Sequence, residues 1–211
     1  MKNHWTNLVR KNTSRLVNAV VISALYLLFL AWYDGWGMTA LTSTEVDQYI
    51  ANIREDSELY DLRDTLRATV VEDDGREFYM LNLNRYQYAP GEPTEGVPAD
   101  YQVYSDAVIW MVLGNAGHPV YVGRFPTYPL TTNATDWHSV ILVRYRSRRD
   151  FVSMVTSDAY QDIVADRAGG IAYAEVTPTT PEISLSTPRL VVLLLLALIG
   201  LVLDVVLRRR Q

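Results

Sequence analysis

The segment SVILVRYRSRRDFVSMV, residues 139–155, decides the fold because an apolar strand pattern runs directly into a helix start. Residues 139–145 are rich in β-branched and aromatic side chains, which favours a β-strand. Ser147 can cap a following helix, because its hydroxyl can accept a hydrogen bond from a free backbone N–H of the first turn. The apolar face of that helix recurs at helical spacing and consists of Phe151, Met154, Val155, Tyr160 and Ile163.

Related patterns lie on both sides of this segment. Residues 78–83, 119–123 and 171–176 have strand composition, and about 100–115 has the spacing of a helix with one apolar face. From residue 76 the predicted order is therefore β-α-β-β-α-β, the split β-α-β or ferredoxin-like arrangement of the α+β class. We expect a four-stranded antiparallel sheet in which strands 78–84 and 139–145 are neighbours. The helices at about 100–115 and 148–165 should cover one face.

Two apolar runs lie at opposite ends of the chain. Residues 16–33 contain no formal charge, and residues 190–207 contain one, Asp204. Each run would form a helix of about 27 Å, close to the roughly 30 Å hydrocarbon core of a bilayer. The sequence therefore predicts a ferredoxin-like domain inserted between two transmembrane helices.

Basic residues flank both runs on their outer sides, before residue 16 and after residue 207. Positive charge is retained on the cytoplasmic side of a membrane. This predicts cytoplasmic termini and a periplasmic segment at about 34–189 in a bacterial inner membrane. A cleaved signal peptide is the alternative for the first run, but the run is long for that purpose and residues 38–40 form a poor cleavage motif.

A Thr42–Glu45 capping box and apolar residues at helical spacing indicate one or two amphipathic helices at 43–68. This segment is either a helical spacer or an arm that docks a partner. The predicted organisation of the chain therefore has seven parts. The parts are a basic cytoplasmic tail (1–15), a transmembrane helix (16–33), a helical membrane-proximal segment (34–75), the ferredoxin-like domain (76–178), a linker (179–189), a second transmembrane helix (190–207) and a second basic tail (208–211).

Composition excludes several classes of function. The 211 residues carry 24 acidic and 19 basic side chains. Because both termini are basic, the middle of the chain is distinctly acidic, which argues against nucleic acid as a partner. The absence of cysteine removes disulfides, thiol catalysis and cysteine-bound metals. The three histidines have no spacing that compels a metal site. No catalytic residue, metal or cofactor is predicted.

Several motifs in the middle resemble a known family. They are Met80-Leu81-Asn82-Leu83, Trp137 leading into residues 140–145, and Asp166-Arg167-Ala168-Gly169-Gly170-Ile171. Over about residues 76–178 the chain is similar to the domain of unknown function 1330 family, although Asp166 stands where a histidine is usual. That family belongs to the dimeric α/β-barrel superfamily. The resemblance implies a homodimer in which two sheets pair, and an enclosed space that often holds a ligand.

Four residues are candidates for lining a ligand pocket: Asn82, His138, Arg144 and Arg167. A shielded pocket needs polar groups that project from the sheet or close it from a helix end. The alternative is structural, with Arg144 pairing with surface acids and Asn82 satisfying the backbone at a strand edge.

The apolar runs offer candidates for contacts within the membrane. Asp204 can either pair with Arg208 at the interface or contact another membrane subunit, because a carboxylate inside an apolar helix is costly to insert. Ala197 and Gly200 give a close-approach face on the same helix. The aromatic residues expected to anchor the first helix at the membrane interface are Trp32, Tyr33 and Trp36.

Three functions are compatible with this architecture. The first is a non-catalytic accessory subunit of a membrane protein complex, with the periplasmic domain as its interaction module. The alternative is a membrane-tethered small-ligand-binding protein or enzyme of the dimeric α/β-barrel type. A sensor or scaffold read through the cytoplasmic tails is a third, although those tails are short.

Overall fold

The computed structural model describes residues 2–125, 136–183 and 188–209. Its contacts divide the chain into two units, one formed by Met1–Trp36 with Ile183–Gln211 and the other by Gly37–Glu182. The described helices are α1 (Lys2–Tyr33), α2 (Ser43–Ala51), α3 (Arg63–Val71), α4 (Ala99–Gly114), α5 (Arg148–Val155), α6 (Asp158–Gly170) and α7 (Pro188–Arg209). The strands are β1 (Phe78–Tyr86), β2 (His118–Arg124), β3 (Ser139–Tyr145) and β4 (Ile171–Thr179).

The four strands form one antiparallel sheet in the order β2-β3-β1-β4. Strands β1 and β3 are central neighbours, with Phe78 opposite Tyr145 and Asn82 opposite Ile141. This confirms the predicted ferredoxin-like α+β fold and the predicted pairing of the first and third strands.

One face of the sheet carries the core because side chains alternate along each strand. Phe78, Met80 and Tyr86 of β1 are buried beneath the helices. Phe151 of α5 contacts two aromatic rings on this face edge-on, with centroid distances of 5.7 Å to Phe78 and 5.0 Å to Tyr145. The apolar face predicted for the segment after residue 147 therefore packs where the sequence placed it.

The segment after β3 forms two helices, whereas the sequence predicted one at about 148–165. Ser147 caps α5 by accepting a hydrogen bond from the Asp150 N–H at 3.1 Å. Ser157 interrupts the helix and caps α6 by accepting from the Tyr160 N–H at 3.3 Å. A second side-chain cap competes with helix continuation, since a serine hydroxyl offers the backbone an alternative partner.

The membrane-proximal segment packs into the domain core. It comprises α2, a 3₁₀ turn at Tyr60–Leu62 and α3. Val46 of α2 and Val70 of α3 are fully buried in the same cluster as Phe78. These helices are therefore an integral layer of the Gly37–Glu182 unit, which neither the spacer nor the docking-arm interpretation anticipated.

Helices α1 and α7 are long and apolar enough to cross a membrane, over Thr13–Tyr33 and Pro188–Val206. They run antiparallel and are joined by polar contacts at several levels. The Arg15 Nε donates to the Asp204 Oδ1 at 3.0 Å, and the Asn18 Nδ2 donates to the Gly200 carbonyl at 2.9 Å. Near the other end, the Arg189 Nε donates to the Asp34 Oδ1 at 2.9 Å.

The start of α2 provides a pH prediction. Glu45 accepts from Arg149 Nη1 at 2.5 Å and, within the predicted capping box, from the Thr42 N–H at 2.8 Å. The hydrogen bond from Arg149 is the main cause that lowers the pKa of Glu45 from 4.5 to about 2, with smaller help from Thr42. Since folding depresses this pKa, its stabilisation is present above about pH 4.5 and disappears as the pH falls towards about 2.

We expect Glu45→Gln to lower the thermal stability at neutral pH and to flatten the loss of stability between about pH 4.5 and 2. Thermal unfolding of the full chain across that range measures the effect. Glu58→Gln, at an exposed position, serves as the control. Parallel acid profiles for wild type and Glu45→Gln would refute this role of Glu45.

Candidate functional site

Two cavities lie between the sheet and the helices that cover it. The larger, which we name the α4 cavity, has a volume of about 360 Å³ and lies between α4 and strands β1, β2 and β3. The smaller, the α3 cavity, has a volume of about 200 Å³ and lies between α3, α5, α6 and strands β1 and β4. Both are bounded mainly by apolar and aromatic side chains.

Four residues line both cavities and form what we name the central cluster: Asn82, Tyr104, Tyr145 and Arg167. They come from β1, α4, β3 and α6, so both the sheet and two of the helices that cover it contribute to the cluster. Two of the four sequence-predicted pocket residues, Asn82 and Arg167, therefore meet at the same place.

Arg167 lies in the last turn of α6 and is half-buried. Among the side chains that the structure describes, none forms an ion pair or a hydrogen bond with Arg167. Asn82 donates its Nδ2 to the Met80 carbonyl of its own strand at 3.2 Å, which holds its side chain on the cavity side. The cluster thus combines a cation, an amide and two phenols.

The tyrosine hydroxyls of the cluster differ in their partners. The Tyr104 and Tyr160 hydroxyl oxygens are 3.1 Å apart and share a hydrogen bond. Tyr145 is 7% exposed, and its hydroxyl has no hydrogen-bond partner among the described residues. The Tyr145 oxygen is not one of the fully enclosed polar atoms that lack a partner, so it keeps some exposed surface beside the cavities that Tyr145 lines.

Burial sets the protonation of these phenols. It raises the pKa of Tyr101 to about 12, and it raises the pKa of Tyr104 and of Tyr145 well above the ordinary value. The positive charge of Arg167 opposes each of these shifts. All three phenols are therefore neutral near pH 7 and can donate a hydrogen bond, and the guanidinium of Arg167 lies within electrostatic range of each.

A buried amide contacts Tyr101, one of the residues that line the α4 cavity. Asn84 is fully buried and bonds through Nδ2 to the Tyr101 hydroxyl at 3.4 Å and the Ser139 hydroxyl at 3.3 Å. Its Oδ1 has no partner among the described residues. The Tyr101 ring packs against the Tyr86 ring, with their centroids 5.3 Å apart.

The other two predicted pocket residues lie elsewhere. Arg144 is on the opposite face of the sheet, 1% exposed, where its Nε donates to Glu77 Oε2 at 2.7 Å and its Nη1 to the Ala116 carbonyl at 2.8 Å. His138 accepts the Tyr86 N–H at its Nδ1 at 3.0 Å, beside the irregular register between Arg85 and Tyr86, and lines neither cavity. Both side chains hold the ends of strands in place.

The three residues predicted to make contacts within the membrane do not share one environment. Gly200 and Asp204 lie on the α7 face that contacts α1, where a Cβ on Gly200 would approach Ile22 to 3.3 Å. Ala197 is exposed. Asp204 therefore pairs with Arg15 of the neighbouring helix, a partner that neither sequence interpretation considered. A contact of this stripe with another subunit stays a prediction.

Among the predicted interface anchors, Trp32 and Trp36 are exposed, whereas Tyr33 is buried. The Arg189 guanidinium lies 5.0 Å from the centre of the Tyr33 ring. The exposure of Trp32 and Trp36 is compatible with an interfacial belt, and their role as anchors stays a prediction. Tyr33 instead packs within its own unit.

Sequence reasoning missed the phenols around the cavities, because tyrosine at helical or strand spacing is typical of an ordinary core. The available signal was composition: the chain has 14 tyrosines but 4 phenylalanines. A core that prefers tyrosine to phenylalanine carries hydroxyls that need partners when buried. No group of three or more histidine, aspartate or glutamate side chains that could hold a metal ion occurs among the described residues.

The chain resembles several solved structures, while no protein-family model and no curated protein matches it. A protein of unknown function from Rhodopseudomonas palustris is 22% identical, with 59% of this chain and 94% of that chain covered at a TM-score of 0.49. A DABB family protein with a ferredoxin-like fold from Mesorhizobium loti is 8% identical over 50% of this chain and 96% of that chain, with a TM-score of 0.36. A dimeric protein of unknown function with a ferredoxin-like fold from Bacteroides fragilis is 11% identical over 50% and 96%, with a TM-score of 0.32. The narrower assignment to the domain of unknown function 1330 family stays a prediction.

Two adjacent glycines place Arg167 and give a matched pair of variants. A Cβ on Gly170 would lie 2.6 Å from the Tyr101 backbone nitrogen, whereas a Cβ on Gly169 would meet the mobile carboxylate end of the exposed Asp100. We expect Gly170→Ala to destabilise by about 1–3 kcal/mol through overpacking. Gly169→Ala should stay within about 1 kcal/mol of wild type, because the Asp100 side chain can turn away and alanine favours a helix. Thermal unfolding of the full chain separates them, and equal effects would show that α4 and α6 do not require this close approach.

Proposed function

We propose that this protein is a membrane-anchored small-molecule-binding protein, whose Gly37–Glu182 unit holds its ligand in the α4 cavity. The observation that carries the proposal is the cavity of about 360 Å³ itself, set between a helix and the sheet. Ligand sites are commonly concave, mostly apolar spaces of about 300–1,000 Å³ with a few converging polar groups. The central cluster supplies those polar groups at one wall.

Two neighbouring residues on β3 allow the cavity to be tested. Ile141 lines the α4 cavity, while Leu142 lies on the other face of the sheet and lines neither cavity. Ile141→Trp should fill the space, and Leu142→Trp makes the same change in size outside it. Both variants need to show cooperative thermal unfolding before binding is compared.

Native mass spectrometry of the full chain released from detergent, after incubation with a mixture of small apolar and aromatic compounds, measures binding. Wild type and Leu142→Trp should retain compounds as one-to-one adducts, and Ile141→Trp should retain none. Failure of folded wild type to retain any compound, or equal retention by folded Ile141→Trp, would overturn the proposal.

We further infer that α1 and α7 anchor the chain in the lipid bilayer of a bacterial inner membrane, with cytoplasmic termini and residues 34–189 in the periplasm. The basic flanks and the apolar lengths of Thr13–Tyr33 and Pro188–Val206 support this. The ion pair of Arg15 with Asp204 supports an uncleaved first helix, because it compensates a charge that α7 would otherwise carry alone.

The topology gives a labelling prediction in a chain that has no cysteine of its own. Glu58→Cys places a thiol at an exposed position of the proposed periplasmic unit, and Thr6→Cys places one in the proposed cytoplasmic tail. An impermeant maleimide should label the first in intact cells and the second after lysis. Labelling in the reverse order would exclude this orientation.

A second candidate function is the accessory subunit of a membrane protein complex, which the outer face of α4 favours. Trp110 is 73% exposed, and Val103 and Leu113 of the same helix are also exposed. Exposed apolar patches commonly mark interaction sites. A homodimer is the other assembly that we propose, and the neighbour from Bacteroides fragilis described as dimeric is compatible with it.

Size measurement of native protein in mild detergent discriminates these assemblies. A hetero-complex that dissociates in Trp110→Ser, or in Ala197→Ile at the exposed position of α7, would support the accessory subunit. Monomer or homodimer alone would exclude it. Gly200→Ile is unsuitable for this purpose, because Gly200 packs against Ile22 within the pair of helices.

A further inference from the structure

No described acidic side chain in the cavity walls forms an ion pair with the Arg167 guanidinium. Arg167 is the single basic residue among the described residues that line the two cavities. The single acidic one, Asp106, takes the Gln102 side-chain amide at 2.7 Å. No ion pair joins Arg167 to Asp106 or to another acid among the described side chains. A partly desolvated guanidinium without a counter-ion is costly, so an anion at this place would stabilise the folded unit.

A second observation independently points to a ligand. The Tyr145 side chain is more than nine-tenths buried, lines both cavities with Arg167 and lacks a hydrogen-bond partner among the described residues. Because the buried phenol stays protonated at neutral pH, its free hydroxyl is a donor. A guanidinium and a phenol donor that share one wall are complementary to an oxyanion.

The remaining walls set the body of the ligand. The α4 cavity continues from the central cluster along apolar side chains of α4 and the strands: Val97, Val108, Ile109, Val112, Ile141 and Val143. The aromatic rings of Tyr86 and Tyr101 close one side. Such walls favour an aliphatic or aromatic group over a sugar or a nucleotide, since each buried polar group of the ligand would need a partner.

From this arrangement we propose that the α4 cavity binds an apolar monocarboxylate, with the carboxylate held by the Arg167 guanidinium and the Tyr145 hydroxyl. One cation matches one negative charge, which favours a carboxylate over a phosphate dianion. The inference rests on the proposed binding function and specifies its ligand class.

The probes are 3-phenylpropionate and its uncharged analogue 3-phenylpropionamide, which differ in the group presented to the central cluster. Isothermal titration of the full chain in detergent should give a dissociation constant at least about tenfold lower for the carboxylate, since hydrogen bonds to charged groups are the stronger ones. Arg167→Gln should abolish this preference. Arg85→Gln, the same change at an exposed position of β1, should preserve it.

Tyr145→Phe provides a readout that does not depend on charge. The ring and its packing stay, and the lost hydroxyl has no described partner in the fold, so thermal stability should be unchanged or higher while carboxylate affinity falls several-fold. This combination distinguishes a ligand-binding hydroxyl from a structural one.

The outcomes separate the two proposals. Equal affinity for acid and amide, or an undiminished preference in Arg167→Gln, would overturn the carboxylate inference and leave small-molecule binding intact. Lack of binding of both probes would also overturn it, and the adduct comparison of Ile141→Trp with Leu142→Trp would then decide the binding function by itself.

Discussion

Replacement of Arg144 by alanine is expected to lower the free energy of unfolding by about 3–5 kcal/mol. Arg144 is 1% exposed and bonds both the Glu77 carboxylate and the Ala116 carbonyl. Its removal takes away the guanidinium that lies 2.7 Å from the Glu77 carboxylate, which is 23% exposed, and removes the side-chain donor of the Ala116 carbonyl. The connection from α4 to β2, which contains Ala116, would loosen as well.

Chemical denaturation of the full chain in detergent measures this loss. Arg85→Ala, which removes the same side chain from an exposed position of the sheet, should change stability by less than about 0.5 kcal/mol. A loss below about 1 kcal/mol for Arg144→Ala would mean that the ion pair with Glu77 contributes no more than an exposed one does.

Phe151→Ala is the second large effect, with an expected loss of about 3–5 kcal/mol. The Phe151 ring packs edge-on against Phe78 and Tyr145, and it also borders the α3 cavity. Truncation removes those contacts and enlarges a space of about 200 Å³ that already exists, so little relaxation would compensate. The same denaturation experiment applies, with Val103→Ala at an exposed position of α4 as the control. A loss under about 1.5 kcal/mol would show that Phe151 does not support the core.

Much of the fold could be predicted because its signals are local. The capping box at Thr42–Glu45 and the Ser147 cap both form as the sequence indicates. The alternation in 139–145 and the order of elements sufficed for the antiparallel pairing with β1. What the sequence did not contain was the packing of 43–68 into the core, since helical spacing shows which face is apolar but not what covers it.

Only part of the candidate site could be predicted from the sequence, for a related reason. Asn82 and Arg144 both lie on central strands, and only the register determines whether two such residues share a face. In the sheet Asn82 is opposite Ile141, and Arg144 is opposite Tyr79, so the two polar residues point to different sides. Arg167 was identifiable from its place before the two glycines, whereas Tyr145 gave no sign that its hydroxyl would lack a partner.

The ion pair of Arg15 with Asp204 has a consequence for inheritance. Each charge is tolerable near the apolar core because the other offsets it, at 3.0 Å and across 189 positions of chain. A lineage that lost either residue by itself would carry an uncompensated charge in one helix and would be selected against. Among relatives, positions 15 and 204 are therefore expected to change together, to an uncharged pair or to a pair of exchanged sign.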